Sequence, residues 1–222
     1  MRSKKRQKIL VSNSSCVSPS AAGFKQAVAV LKAGGVVAFP TETYYGLAVD
    51  PRNEQAVESL FQVKGRVEAK PVLVLIVDPL DLSSLVREVP DEYERLIAKF
   101  WPGPLTLVFP AADGVSPRLL GGTGTIGVRI SPHPVARRFC RAWGGPITAT
   151  SANRSGWAPA RTAEEVRRQF GDAIDLIIDG GETSGVAGST VVGLDEGRLR
   201  LLRPGLIDFS LLSHGGRTRQ PR

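Results

Sequence analysis

Residues 34–50 read GGVVAFPTETYYGLAVD. Val36, Val37, Ala38 and Phe39 form the short apolar run that a covered strand needs, and Pro40 ends it because proline has no N–H to give to a sheet. Thr41, Glu42 and Thr43 then place two hydroxyls and a carboxylate just past the strand end, where an open α/β sheet commonly binds its ligand. Gly46 permits close backbone approach. The competing reading of the same letters is a hydroxyl-rich turn between two strands.

On either side of this stretch, helical and strand-like segments alternate. Ser20 is placed to cap a helix in which Phe24, Ala27, Val28 and Leu31 share a face, with Gly34 as its stop. Asn53 caps a second helix predicted to run to Val63, and the basic cluster Lys64, Gly65, Arg66 follows. Residues 71–77, PVLVLIV, are continuously apolar, as in a strand buried on both faces. Helices are predicted over 91–100, 134–141 and 163–170, the last capped by Thr162, and strands over 105–109, 125–130, 147–150 and 175–179. Strands at 191–194 and 198–202 flank Asp195, Glu196 and Gly197, a hairpin with glycine where positive φ is easiest. Strands interrupted by helices indicate an α/β fold, and the late hairpin makes the sheet mixed. The chain is expected to divide into a basic arm at 1–19, one domain at 20–212 and a basic tail at 213–222.

The net charge of +8 suggests nucleic acid, but its distribution limits that inference. Arg2, Lys4, Lys5, Arg6 and Lys8 at one end and Arg217, Arg219 and Arg222 at the other account for all of it, so the body is formally neutral. Cys16 and Cys140 are the two cysteines, with no CxxC spacing, and support neither a disulfide framework nor a zinc site. Ile9 to Val11 is too short an apolar run for a signal peptide, and no run is long enough to span a membrane. A cytoplasmic, reducing location is the expectation.

Several groups could carry chemistry. Lys64 and Arg66 are two residues apart around a glycine, suited to a polyphosphate; a solvated helix end is the alternative. Arg129 lies between Val128 and Ile130, so its side chain faces the other way from theirs, towards an anionic ligand or, on an edge strand, a surface acid. Thr148, Thr150, Ser151 and Asn153 follow a strand as small hydrogen-bonding groups, which could also make capping turns. No GxxxxGK[ST] or GxGxxG motif is present, and neither His133 nor His214 sits in a nucleophile triad pattern.

FPTETYYGL at 39–47 resembles the PTETVYGL signature of the YrdC-like family, the threonylcarbamoyl-AMP synthases. Later blocks resemble that family's in the same order: KGRVEAKPVLVLI (64–76), WPGPLTLVF (101–109), TIGVRISPHP (125–134), ITATSANRSG (147–156), GSTVV (188–192) and LLRPG (201–205). The resemblance implies a single twisted mixed β-sheet with surrounding helices and a concave ligand cleft. It further implies conversion of L-threonine, bicarbonate or CO2, and ATP into threonylcarbamoyl-AMP and pyrophosphate, for the N6-threonylcarbamoyladenosine of tRNA position 37. Carried over residue by residue, it places Lys64 and Arg66 as catalytic cations that also bind ATP, with Thr125, Ser151, Asn153 and Arg203 around the nucleotide. Thr41, Arg129, Thr148 and Ser189 fall to threonine. Mg2+ would be the cofactor, held by phosphates and water, and tRNA and the transferase proteins of the pathway would be the partners, with no membrane. Val67 stands where the family usually has proline, and Leu75 where some members have histidine. With seventeen residues after Gly205, the chain is expected to be the short form. Two other readings remain: a non-catalytic module binding double-stranded RNA or tRNA, and a paralogue acting on another carboxylate.

If the basic tails bind RNA, deleting residues 1–8 should lower the dependence of RNA binding on salt, by about 0.9 in log–log slope for each duplex phosphate that the shortened chain no longer neutralises. Titration at several salt concentrations measures this, and an unchanged slope removes the arm from RNA binding.

Overall fold

The computed structural model describes residues 15–65 and 71–213. In chain order the elements are β1 (Ser15–Val17), α1 (Ala21–Lys32), β2 (Val37–Pro40), β3 (Tyr45–Ala48), α2 (Glu54–Lys64), β4 (Val74–Leu75), α3 (Asp91–Phe100), β5 (Leu105–Pro110), α4 (Pro117–Leu120), β6 (Thr125–Arg129), α5 (Pro134–Trp143), β7 (Ile147–Thr148), β8 (Thr150–Ser151), α6 (Ala163–Phe170), β9 (Leu176–Ile178), β10 (Thr190–Asp195), β11 (Arg198–Arg203) and α7 (Ser210–Ser213). The helix starts follow the sequence: the side chains of Ser20, Asn53 and Thr162 accept from the amides of Gly23, Ala56 and Glu165. Glu196 and Gly197, at φ 48° and 72°, turn the β10–β11 hairpin. Among the described residues no helix is long and apolar enough to cross a membrane.

Both β2 faces are covered. Val36 and Ala38 pack with Ala56, Val57, Leu60 and Phe61 of α2 and with Val166 and Phe170 of α6. Val37 and Phe39 pack the other way, with Phe24, Ala27 and Leu31 of α1 and Ala136 and Phe139 of α5. The continuous apolar run at 36–39 is thus the signature of a strand with helices on two sides.

The expected single sheet resolves into two hydrogen-bonded sheets, ordered β1-β9-β2-β3-β8 and β11-β10-β5-β6-β4-β7. Both are mixed: β2 runs parallel to β9 and antiparallel to β3, while β6 is antiparallel to β5 and parallel to β4. The chain crosses between them at Ala149, from β7 to β8. Thr148 N donates to Val49 O at 3.2 Å, its hydroxyl accepts from Val49 N at 2.9 Å and donates to Leu47 O at 3.2 Å, and Ala149 N donates to Leu73 O at 2.9 Å. A side-chain hydroxyl therefore completes the backbone pairing where the ladders separate.

The second sheet has one face on helices and one on a cleft. On β5, Leu105, Leu107 and Phe109 join a core with Tyr93 and Leu96 of α3, and on β6 Ile126 and Val128 join the same core. The alternate residues Thr106, Val108, Thr125, Gly127 and Arg129 line the cleft. Arg129 accordingly faces opposite to its neighbours, as its position predicted, but β6 is an interior strand, which removes the edge-strand reading. Gly127 keeps the floor clear: a Cβ there would come within 3.2 Å of Thr106 Cγ2.

Besides the short helices α4 and α7, three strands escaped the main sequence reading. Ser15–Val17, within the expected N-terminal arm, pairs in parallel with β9, so that arm is part of the sheet at its inner end; residues 1–14 and 214–222 lie outside the described residues. Strand β3, anticipated only by the competing reading of a turn between two strands, returns antiparallel to β2 after the four-residue turn Thr41–Tyr44, closed by Thr41 N donating to Tyr44 O at 3.2 Å. The third is β8, two residues long and paired with β3.

Thr148→Val keeps the shape of the side chain but leaves the buried Val49 N–H without its acceptor, at a cost of about 1–3 kcal/mol. Urea denaturation should show a lower midpoint at unchanged slope; an unchanged midpoint would mean that the hydroxyl is dispensable where the sheets part.

Candidate active site

A cleft of about 710 Å³ lies between the two sheets. One wall is the Thr41–Gly46 turn and strand with Thr150 and Ser151; the other is the inner face of β5, β6 and β10 with Arg203 from β11. The turn is rigid, since the Thr41 hydroxyl donates to Tyr44 O at 2.7 Å and lies 3.0 Å from that of Thr43. A segment linking β9 to β10 braces it from outside: Ser184 Oγ donates to Glu42 O at 2.7 Å, Gly185 N donates to Thr43 O at 2.9 Å, and Tyr45 Oη donates to Gly181 O at 2.8 Å.

Arg129 is 3% exposed. Its Nη1 donates to Oε1 of Glu42, and the Ser131 hydroxyl donates to Oε2 of the same carboxylate. Burial lowers the pKa of Arg129 and the facing Glu42 opposes this, so the pair keeps the guanidinium charged in a dry wall. His133, which caps α5 by accepting from Val135 N, has its pKa lowered by burial with Glu42 pulling the other way. On the opposite side Arg203 Nη2 donates to Ser189 O at 2.9 Å and to Ser189 Oγ at 3.0 Å, and Ser189 Oγ lies 2.8 Å from Thr106 Oγ1. Burial and then the charge of Arg129 lower the pKa of Arg203. Two guanidiniums offset by one carboxylate leave a cleft that attracts anions.

Of the residues named from sequence, Thr41, Thr125, Arg129, Ser151, Ser189 and Arg203 are brought together on the cleft wall. Thr148 is not on it: its hydroxyl is consumed where the sheets separate. Arg66 lies outside the described residues. Lys64, read as a polyphosphate-binding cation or a solvated helix end, is 4% exposed at the end of α2, where Gly65 at φ 56° ends the helix. Its Nζ donates to the carbonyls of Ser151 and, at 2.9 Å, Asn153, behind the wall that Ser151 forms. Asn153 Oδ1 accepts from Ser151 Oγ at 2.6 Å, and its Nδ2 donates to Trp157 O at 2.8 Å, so it shapes the 151–157 loop.

Sequence reasoning placed Glu42 at the strand end but not its partner, and it missed Thr106 as a site residue. Glu42 was visible as an acid between two hydroxyls, but its partner is 87 residues away. Thr106 carried the signal of any polar residue alternating with Leu105 and Leu107 in a strand.

A mixed α/β framework with helices on two sides of one sheet, and an anion-attracting cleft on the open face of the other, defines the class. The family model described as "Telomere recombination" matches residues 29–205, and the chain belongs to this Sua5/YciO/YrdC family. It is 42% identical over 156 residues to the threonylcarbamoyl-AMP synthase of Halorhodospira halophila, covering 70% of this chain and 82% of that protein. It is also 42% identical over 185 residues to the threonylcarbamoyl-AMP synthase of Pyrococcus abyssi, covering 83% of this chain but 53% of that one, so it spans about half that relative's length. Among solved structures, P. abyssi Sua5 complexed with L-threonine superposes with a TM-score of 0.82 at 39% identity, over 86% of this chain and 57% of that one. Escherichia coli YciO superposes with a TM-score of 0.78 at 27% identity, over 87% and 96%.

Lys64→Met retains the aliphatic stem but strips buried carbonyls of a charged donor. The loss of roughly 1.5–3 kcal/mol should lower the melting temperature by about 3–12 °C. A melt identical to the parent's would show that the ammonium group is solvated instead.

Proposed function

We propose that this chain is an L-threonylcarbamoyladenylate synthase, an ATP-dependent nucleotidyltransferase of tRNA threonylcarbamoyladenosine formation. The observation that carries the reading is Arg129, a buried cation on the cleft face of β6, in a chain 39% identical over the compared region to a protein whose structure holds L-threonine. L-Threonine would present its carboxylate to Arg129, with Thr41 and Ser189 nearby. The nucleotide would lie along Thr125, Ser151 and Arg203, and Lys64 would act by fixing the Ser151–Asn153 backbone from behind. The carbamate formed from the threonine amine and bicarbonate or CO2 would attack the α-phosphorus of ATP through oxygen, with pyrophosphate leaving. Catalysis would then consist of positioning and charge stabilisation.

Magnesium is proposed to enter with ATP. Among the described residues no group of three or more His, Cys, Asp or Glu side chains could hold an ion, and the hydroxyls and guanidiniums of the wall suit phosphates better than a bare cation. Phosphate oxygens and water would be its ligands, and its contribution is to neutralise charge on the leaving pyrophosphate. The product would pass to transferase proteins acting on tRNA, in the cytoplasm.

Purified protein with ATP and magnesium should release pyrophosphate only when threonine and bicarbonate are both supplied. Serine should react poorly, since a missing methyl in a fitted pocket forfeits about 1–3 kcal/mol. Release that ignores threonine would indicate another carboxylate substrate; no release under any combination, with tight salt-sensitive RNA binding, would make the chain an RNA-binding module.

A further inference from the structure

Arg129 reaches the cleft from one sheet and is held from the other. Its Nη1 donates to Oε1 of Glu42, on the turn that joins β2 to β3. Glu42 is clamped in its turn: Oε2 accepts from the Ser131 hydroxyl, Ser131 Oγ is fixed by accepting from His133 N at 3.2 Å, and the backbone carbonyl of Glu42 accepts from Ser184 at 2.7 Å. Arg129 Nε, also buried, has no hydrogen-bond partner among the described residues. In a planar guanidinium Nη1 lies on the side away from the Nε–H, so a carboxylate on Nη1 leaves the edge formed by Nε and Nη2. That edge offers two parallel N–H groups, the match for the two oxygens of a second carboxylate.

We propose that Glu42 is a positioning residue for the ligand carboxylate: it anchors Arg129 by Nη1 and holds the Nε–Nη2 edge ready in the cleft. Glu42 touches no reacting atom in this arrangement. It acts through Arg129. An arginine paired only for structure would have no reason to leave a buried Nε empty, because an unmade buried hydrogen bond is costly. The inference rests on the proposed function in taking the carboxylate to be that of L-threonine.

The test compares L-threonine with L-threoninamide, which lacks the carboxylate, by calorimetry on the parent protein, Glu42→Gln and Glu42→Ala. The parent should prefer threonine. That preference should fall about tenfold or more in Glu42→Ala and by less in Glu42→Gln, which retains an acceptor for Nη1. An unchanged preference in a folded variant overturns the proposal, and so does tighter threonine binding in Glu42→Gln, which would make Glu42 a competitor of the ligand. If Glu42→Ala does not fold, Glu42→Gln alone decides. A parent that binds the two ligands alike removes the carboxylate from Arg129 and defeats both readings; one that prefers threonine yet releases no pyrophosphate defeats only the activity.

Discussion

The ion pair of Glu42 with Arg129 is the contact on which the arrangement of the cleft depends. It joins the β2–β3 turn of one sheet to strand β6 of the other, and both partners are largely withdrawn from water. A lone guanidinium in such a place would be strongly unfavourable, and a buried pair offsets that only when its remaining hydrogen-bonding groups are satisfied. The Ser131 hydroxyl does this for the acid. The arginine is left with an empty Nε, so the pair is incomplete on the arginine's side.

Around that pair, strand alternation does most of the shaping. On β5 and β6 the odd and even positions divide between a helix-covered core and the ligand wall. The first sheet has no such division, since its central strand is apolar on both sides and helices cover both. One sheet supplies rigidity through burial; the other exposes a face on which hydroxyls and guanidiniums can stand. The place where they meet is closed by the Thr148 side chain rather than by a continuous ladder.

Much of this was legible in the sequence because it is local. Helix caps at Ser20, Asn53 and Thr162 are set by a single side chain and its next turn, and the outward direction of Arg129 follows from the residues beside it. What could not be read depends on distant partners. Ser15–Val17 is a strand because β9 lies beside it, although its own composition is that of a polar arm. Lys64 looked like a phosphate-binding or solvated cation until the carbonyls of Ser151 and Asn153 came within reach, and Thr148 looked like a ligand group until Val49 claimed its hydroxyl. The break of one expected sheet into two belongs with these, since it falls between β7 and β8, two-residue strands whose partners are distant in sequence.

The segment between β9 and β10 hydrogen-bonds to the main chain of Glu42 and Thr43 before it delivers Ser189 to the opposite wall. The same stretch of backbone therefore supports both sides of the cleft. A ligand that tightens the turn also stiffens the approach to Ser189 and Arg203, so order gained on one side lowers the entropy still to be lost on the other. Two molecules arriving in sequence would then favour each other's binding without any movement of a domain, through bonds that neither of them touches.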